Sequence, residues 1–171
     1  GDRALRFFSF TKGRPVLVAA STLRGEEEPV LQAFKRLRES ARDAVLILAP
    51  RHPERAEEAR SIAIREGFDV AIRTSLSIET SRAPDVVVVD TIGELPRLFQ
   101  LATLVFVGGS LVPAGGHNIL EPAVFGKAIV FGPHMNNFRE IASLFVDRSA
   151  ALQVLSAAEL SDTLNALLGD P

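Results

Sequence analysis

Short, uninterrupted apolar runs alternate with helix-like segments along most of this 171-residue chain. The runs 16–20 and 104–107 contain no polar residue, which is typical of strands buried on both faces of a parallel sheet. Between such runs, segments 26–40 and 53–66 place apolar residues at helical spacing. This alternation predicts an α/β fold, a parallel sheet covered by helices on both faces.

The predicted elements make up one Rossmann-like, doubly wound domain over residues 16–171. About six strands are expected, at 16–20, 45–49, 70–73, 86–89, 104–107 and 128–131, with a further edge strand considered at 151–154. Helices are expected at 26–40, 53–66, 93–101, 118–125 and 137–145, and after Ser156, whose capping-box partner is Glu159. Residues 74–84 are expected to form a mobile loop, and residues 1–15 a linker or interdomain segment, with a short strand as the alternative.

Composition excludes several classes of function. The net charge of −2 lacks the basic excess of a nucleic-acid-binding domain. Cysteine is absent, so the chain has no disulfide or thiolate metal site, and no histidine spacing indicates a metal. We expect no metal and no cofactor. The apolar runs are far shorter than the ~20 residues of a membrane-spanning helix, so no membrane segment is expected.

Unusual residues concentrate in the turns that follow predicted strands. These turns are 21–25, 50–53, 108–118 and 132–137, and they contain all three histidines of the chain, His52, His117 and His134. Because all such turns of a parallel sheet lie along one edge, their side chains should converge there. A ligand is expected at this edge, outside the carboxyl ends of the strands.

Two glycine pairs in the 108–118 segment indicate anion binding. Gly108-Gly109 is followed by Ser110, and Gly115-Gly116 directly precedes a predicted helix. Glycine allows close approach to a ligand, and free amides at a helix start attract phosphate. The alternative is that these glycines only form tight turns. Neither a P-loop nor the dinucleotide fingerprint is present.

Acidic residues near two predicted helix starts suggest different roles. Glu121 either stabilises the helix dipole or accepts hydrogen bonds from ribose hydroxyls, and the second interpretation is favoured because a carboxylate would repel phosphate there. Glu26, Glu27 and Glu28 are interpreted as helix-start charges on a solvated face, without a catalytic role.

Arg51 and His52 follow the second predicted strand directly. A guanidinium at this position can form a bidentate pair with a phosphate or a carboxylate. The alternative is a surface ion pair with Glu54 or Glu57. The position of Arg51 beside a histidine on the presumed ligand edge favours anion binding.

Several of these segments, in this order, resemble the 3-deoxy-D-manno-octulosonic acid (Kdo) transferase family. The similarity covers roughly residues 16–146. It rests on the stretches Ala20-Ser21-Thr22, Gly25-Glu26-Glu27-Glu28, Pro50-Arg51-His52-Pro53-Glu54-Arg55, Asp90-Thr91-Ile92-Gly93-Glu94-Leu95, Gly108-Gly109-Ser110-Leu111, Gly115-Gly116-His117-Asn118, Leu120-Glu121-Pro122, Gly132-Pro133-His134 and Asn137-Phe138. Two positions depart from the family pattern: Leu23 replaces an expected histidine, and Arg73-Thr74-Ser75 matches loosely.

The resemblance implies the C-terminal, donor-binding half of a GT-B glycosyltransferase. Such an enzyme transfers Kdo from CMP-Kdo to a lipid A precursor during lipopolysaccharide assembly, at the cytoplasmic face of the inner membrane. In the family an N-terminal half holds the acceptor, the membrane contact and a catalytic glutamate base. We therefore expect no catalytic residue among these 171 residues and no Kdo transfer by this chain alone.

The resemblance also implies roles for particular residues. The phosphate is expected at Gly109, Ser110, Gly116, His117 and Asn118, and the ribose at Glu121. Arg51 and His52 should meet the anionic part of the donor, while the turn Thr91, Ile92, Gly93 and Glu94 should line the cytosine. Ser21 and Thr22 complete the expected donor-binding set.

Two other functions fit the same sequence features. One is the C-terminal domain of another GT-B enzyme that uses a UDP-sugar, and the other is a nucleotide-binding module without catalytic activity. Comparison of CMP with UMP binding separates the first alternative from the Kdo transferase hypothesis.

Overall fold

The fold is built on a seven-stranded sheet in which every neighbouring pair of strands is parallel. The computed structural model describes residues 3–78 and 83–169. The strand order is β3-β4-β2-β1-β5-β6-β7. The strands are β1 (Val16–Thr22), β2 (Val45–Pro50), β3 (Val70–Ile72), β4 (Val86–Val88), β5 (Leu104–Val107), β6 (Ala128–Phe131) and β7 (Leu152–Gln153).

Six α-helices are found in the described residues and cover both faces of the sheet. They are α1 (Glu27–Ser40), α2 (Ala56–Arg65), α3 (Leu95–Leu98), α4 (Leu120–Val124), α5 (Arg139–Asp147) and α6 (Ala157–Leu168). Single 3₁₀ turns precede α2 at Pro53–Arg55 and α5 at Asn136–Phe138, and follow β3 at Arg73–Ser75 and α3 at Phe99–Leu101.

The central strand β1 shows why the apolar runs form this sheet. Leu17 and Ala19 pack into the core on the face covered by α1, α2 and α6, while Val16, Val18 and Ala20 pack into the core on the other face. Because both faces of the strand are buried, the sequence is continuously apolar instead of alternating. The predicted α/β, Rossmann-like fold is confirmed.

Several predicted boundaries need correction. The further edge strand considered at 151–154 is present as the shorter β7, which pairs with β6 and brings the sheet to seven strands. The helix predicted from residue 118 begins only at Leu120, after a turn closed by the Asn118 side chain. The first residues of the loop expected at 74–84 belong to the 3₁₀ turn Arg73–Ser75. Residues 79–82 of that loop lie outside the described residues.

The N-terminal segment is helical. The sequence predicted a linker there, with a short strand as the alternative. Ala4–Thr11 forms consecutive 3₁₀ turns, and the Thr11 hydroxyl donates a hydrogen bond to the Phe8 carbonyl at 2.7 Å. The Phe8 ring is buried in the core on the Val16 face of the sheet. The strand alternative is therefore wrong, while the domain boundary at residues 15 and 16 stays a prediction. None of the helices in the described ranges has the length and apolar character required to cross a membrane.

The capping box at the start of α6 provides a test of local stability. The Ser156 hydroxyl accepts a hydrogen bond from the Glu159 amide at 3.1 Å, and the Glu159 carboxylate accepts one from Leu155. We predict that Ser156→Ala lowers the free energy of unfolding by about 1 kcal/mol, because one helix-start amide loses its acceptor. Urea unfolding measures the change. Ser61→Ala, at an exposed site within α2, is the control, and an equal loss in that variant would contradict the capping role.

Candidate functional site

A cleft of about 510 Å³ opens along the carboxyl ends of β1, β2, β4 and β5. Ligand sites in proteins have volumes of this order. The chain leaves β1 towards β2 and later returns to the other side of β1 as β5, so the cleft lies where the strand order reverses. Its floor is largely apolar and includes Val89, Leu95, Phe99 and Val107.

The turn after β2 places two potential anion-binding side chains at the cleft. Arg51 and His52 are both exposed and line it. The Arg51 amide donates to the Thr22 carbonyl at 2.9 Å, which fixes the turn against the end of β1. The alternative ion pair of Arg51 with Glu54 or Glu57 does not form in the described residues. Both side chains are therefore free to meet a ligand.

An ion-pair network stabilises the turn after β2 on the side away from the cleft. The Arg55 guanidinium donates to both oxygens of the buried Glu27 carboxylate, at 2.8 and 3.1 Å, and to Glu58 at 3.1 Å. Arg24 contacts Glu58 with two further hydrogen bonds of 3.0 Å. Hydrogen bonds from Arg24 and then Arg55 lower the pKa of Glu58 to about 2. The network joins the start of α1 to the start of α2.

The turn after β4 forms another wall of the cleft. Thr91, Ile92 and Gly93 line it, and Ile92 is 88% exposed although it is apolar. Glu94 points to a different neighbour. Its carboxylate accepts two 2.9 Å hydrogen bonds from Arg73 and one of 2.7 Å from the Thr91 hydroxyl. Glu94 thus braces the turn instead of lining the cleft.

The segment before α4 contributes the remaining polar groups. His117, Asn118 and Glu121 line the cleft. The Asn118 side-chain oxygen accepts a hydrogen bond from the Leu120 amide at 2.9 Å and so starts the helix. Within the described part of the chain, the Glu121 carboxylate and the His117 and Asn118 amides form no hydrogen bond. These groups are available to a ligand.

Glu26 is buried at 0% exposure, although the sequence predicted a solvated face. Its carboxylate accepts hydrogen bonds from the amides of Leu23 at 2.9 Å, Gly109 at 2.7 Å, Ser110 at 3.1 Å and Leu111 at 3.0 Å. Burial raises the pKa of Glu26, and these backbone hydrogen bonds act in the opposite direction. The predicted solvated face is therefore wrong for Glu26.

The same correction applies to Glu27, while Glu28 is exposed as predicted. The spacing of apolar residues in this helix already indicated that Glu27 is buried. In α1 the buried side chains include Val30, Leu31 and Phe34, and Glu27 precedes them by three, four and seven positions. That spacing puts Glu27 on the buried stripe of the helix, where Arg55 compensates its charge.

The glycine-rich turn after β5 uses its polar groups internally. The Gly109 and Ser110 amides donate to Glu26, and the Gly116 amide donates to the Gly109 carbonyl at 2.8 Å. The Ser110 hydroxyl donates to Val107 at 2.5 Å and accepts from Gly132 at 2.8 Å. In this arrangement, the backbone amides of Gly109, Ser110 and Gly116 cannot also bind phosphate.

His117 lies against this turn with a defined environment. Its Nε2 is buried without a hydrogen-bond partner in the described residues, and its ring lies near the backbone of Ser21, a residue with φ of 58°. A Cβ built on Gly109 would come within 2.9 Å of that nitrogen, so only glycine allows this packing. Burial, then the charges of Arg51 and His52, lower the pKa of His117.

The structure brings most of the predicted donor-binding residues together, but not all. Those that line the cleft are Ser21, Arg51, His52, Thr91, Ile92, Gly93, His117, Asn118 and Glu121. Those that do not are Thr22, Glu94, Gly109, Ser110 and Gly116. His134, expected at the same edge, does not line the cleft either. Among the described residues, no group of three His, Asp or Glu side chains is placed to hold a metal ion.

Comparison with known proteins decides the family. No protein-family model matches the chain. The 3-deoxy-D-manno-octulosonic acid transferase of Haemophilus influenzae is 38% identical over 156 residues, which cover 91% of this chain and 36% of that protein. The C-terminal CMP-Kdo binding domain of WaaA from Acinetobacter baumannii is 35% identical, with a TM-score of 0.85, covering 98% of this chain and 88% of that domain.

The chain belongs to the Kdo transferase family. It spans about a third of the length of the Haemophilus Kdo transferase, 36%. The alpha,alpha-trehalose 6-phosphate synthase of Burkholderia multivorans, at 14% identity and a TM-score of 0.64, shares the fold alone. The motifs that carried the sequence resemblance thus lead to the same family as the comparison with solved structures.

We expect the pKa of His117 in this Kdo transferase domain to lie below the ordinary histidine value of about 6.5. We predict that Arg51→Ala raises the pKa of His117, because the variant removes a nearby positive charge. Since the folded pKa is lowered, the contribution of His117 to stability is present above about pH 6.5 and is lost as the pH falls through the folded pKa.

NMR titration of the imidazole resonances measures the shift. Arg148→Ala serves as the control, because Arg148 is not among the groups that shift the pKa of His117. If the pKa of His117 lay above 6.5, or did not respond to Arg51→Ala, the described environment of the ring would be incorrect.

Proposed function

We propose that this chain binds CMP-Kdo in the cleft and acts as the donor-binding part of a Kdo transferase. The observation that carries the proposal is its 35% identity to a CMP-Kdo binding domain, with a TM-score of 0.85 over 98% of the chain. The cleft supports it independently, since an apolar floor is combined there with free cationic, amide and carboxylate groups.

The phosphate of the donor is assigned to the cationic side of the cleft. Arg51 and His52 supply positive charge or hydrogen-bond donors, and the free amides of His117 and Asn118 supply further donors. An arginine next to a phosphate forms short, charge-assisted hydrogen bonds. Departure of CMP leaves an additional negative charge on this phosphate, which the same donors stabilise.

The nucleoside is assigned to the two remaining walls. The unpartnered carboxylate of Glu121 accepts hydrogen bonds from the ribose hydroxyls, as acidic residues do in dinucleotide-binding folds. The cytosine packs at the turn of Thr91, Ile92 and Gly93, where the exposed Ile92 side chain offers an apolar surface. Glu94 supports this turn through Thr91 instead of touching the base.

The acceptor and the membrane contact belong to the rest of the enzyme in this proposal. The acceptor is a lipid A precursor, met at the cytoplasmic face of the inner membrane, and the base that deprotonates it lies outside these 171 residues. His117 and His52 are committed to the donor, and a base must come within hydrogen-bonding distance of the acceptor hydroxyl. The chain alone therefore transfers no Kdo.

Calorimetric titration with CMP, UMP and inorganic phosphate tests this assignment. Glu121→Gln should weaken CMP binding by about tenfold or more, as expected for loss of a charged hydrogen-bond acceptor. The same substitution should leave phosphate binding nearly unchanged, because phosphate has no ribose. Wild-type protein should bind CMP more tightly than UMP.

Glu140→Gln, at an exposed position on α5, is the matched control and should bind CMP like the wild type. Stronger CMP binding by Glu121→Gln would show that Glu121 merely repels the phosphate. Preference for UMP over CMP would favour a UDP-sugar enzyme instead.

A further inference from the structure

Glu26 is a buried carboxylate that no cation of the described residues compensates. Its carboxylate accepts four backbone amides, and no ion pair of the described residues involves it. A buried carboxylate is very costly unless hydrogen bonds replace its lost hydration. Successive backbone amides that converge on one point form a concave anion site, or nest. The successive amides of Gly109, Ser110 and Leu111 form such a nest together with the Leu23 amide, and the protein fills it with its own side chain.

The nest stands at the junction of the turns that form the cleft. Leu23 belongs to the turn after β1, and Gly109, Ser110 and Leu111 to the turn after β5. The second turn is closed by a hydrogen bond from the Gly116 amide to the Gly109 carbonyl at 2.8 Å, and it contacts the turn after β6, where the His134 amide donates to the Ser110 carbonyl at 2.9 Å. A displacement of the nest would therefore move several loops together.

His117 is the cleft residue most directly affected. Its ring packs on the Gly109 backbone at a distance that excludes any side chain there. The ring also lies near the backbone of Ser21 at the end of β1. The positions of the β1 and β5 turns thus set the position of His117, and the Glu26 carboxylate joins these two turns.

We propose that Glu26 is a positioning residue of the donor site. It acts as a built-in anion that occupies the nest after β5 and holds His117 at the cleft, while itself remaining outside the cleft. The effect on CMP binding rests on the function proposed above, whereas the nest itself does not. Removal of the carboxylate should leave an empty site for a small carboxylate ion.

Chemical rescue tests the nest directly. Glu26→Ala removes the atoms that acetate contains, so acetate should occupy the vacated site. We expect acetate at ten times its Kd to raise the Tm of Glu26→Ala by about 3–6 °C, from the linkage of binding to stability in a domain of this size. Acetamide, which has the same shape but no charge and donates hydrogen bonds, should give no such rise.

Leu37→Ala supplies the matched control. Leu37 is fully buried in α1, so its truncation destabilises the fold through a cavity without affecting the nest. Acetate should not raise the Tm of this variant. If Glu26→Ala is unfolded on purification, refolding is attempted in acetate and in acetamide, and recovery only in acetate is the expected result. Equal effects of both compounds, or no effect of acetate on either measure, would overturn the nest.

CMP titration of a second variant tests the positioning role. Glu26→Gln keeps the size of the side chain but turns its NH₂ group towards backbone donors. We expect its affinity for CMP to fall by about tenfold, which corresponds to about 1.4 kcal/mol, while Leu37→Ala retains the wild-type affinity when folded. Wild-type affinity in Glu26→Gln would overturn the positioning role. Absence of CMP binding in the wild type, with acetate rescue intact, would instead contradict the proposed function and leave the nest established.

Discussion

The arrangement of the cleft depends on the hydrogen bonds between one buried carboxylate and four backbone amides. Glu26 joins the turn after β1 to the turn after β5, the two strands on either side of the point where the strand order reverses. Parallel strands alone bring their carboxyl ends to one edge, but they do not fix how the following turns pack. The Glu26 carboxylate supplies that constraint from inside the protein.

A second constraint comes from arginine–carboxylate pairs that brace the outer turns. Arg55 with Glu27 and Glu58 supports the turn that presents Arg51 and His52, and Arg73 with Glu94 supports the turn that presents Ile92. Arg73 also stacks over Phe7, with its guanidinium carbon 4.2 Å from the ring centroid. These arginines and carboxylates pair with one another behind the cleft, so they do not occupy the polar groups that line it. This separation suits a site where a nucleotide phosphate must find unpaired donors.

The sequence predicts the sheet well because its signals are local. The bounds of β5 agree with the predicted run at 104–107, and Ser156 caps α6 with Glu159 as expected. Likewise, side chains in the turns after β2 and β4 line the cleft because strand direction alone determines the edge at which they lie. The N-terminal helical turns escaped prediction, since burial of Phe8 against the sheet is a tertiary contact without a local pattern.

The glycine-rich turn illustrates why the rest of the site could not be predicted. The pattern Gly108-Gly109-Ser110 predicted amides that bind a ligand phosphate, whereas the amides of Gly109 and Ser110 donate to a side chain more than eighty positions earlier in the chain. Only the tertiary fold reveals that Glu26, and not a ligand, occupies this place. The same fold leaves the His117 and Asn118 amides free, although the sequence did not distinguish them from the amide of Gly116.

A crystal structure of this chain with CMP would test the central claim most directly. We expect the nucleotide phosphate to lie by Arg51 and the amides of His117 and Asn118, while Glu26 still accepts hydrogen bonds from the amides of Gly109, Ser110 and Leu111. A phosphate bound to the Gly109 and Ser110 amides, with the Glu26 carboxylate displaced from them, would contradict it.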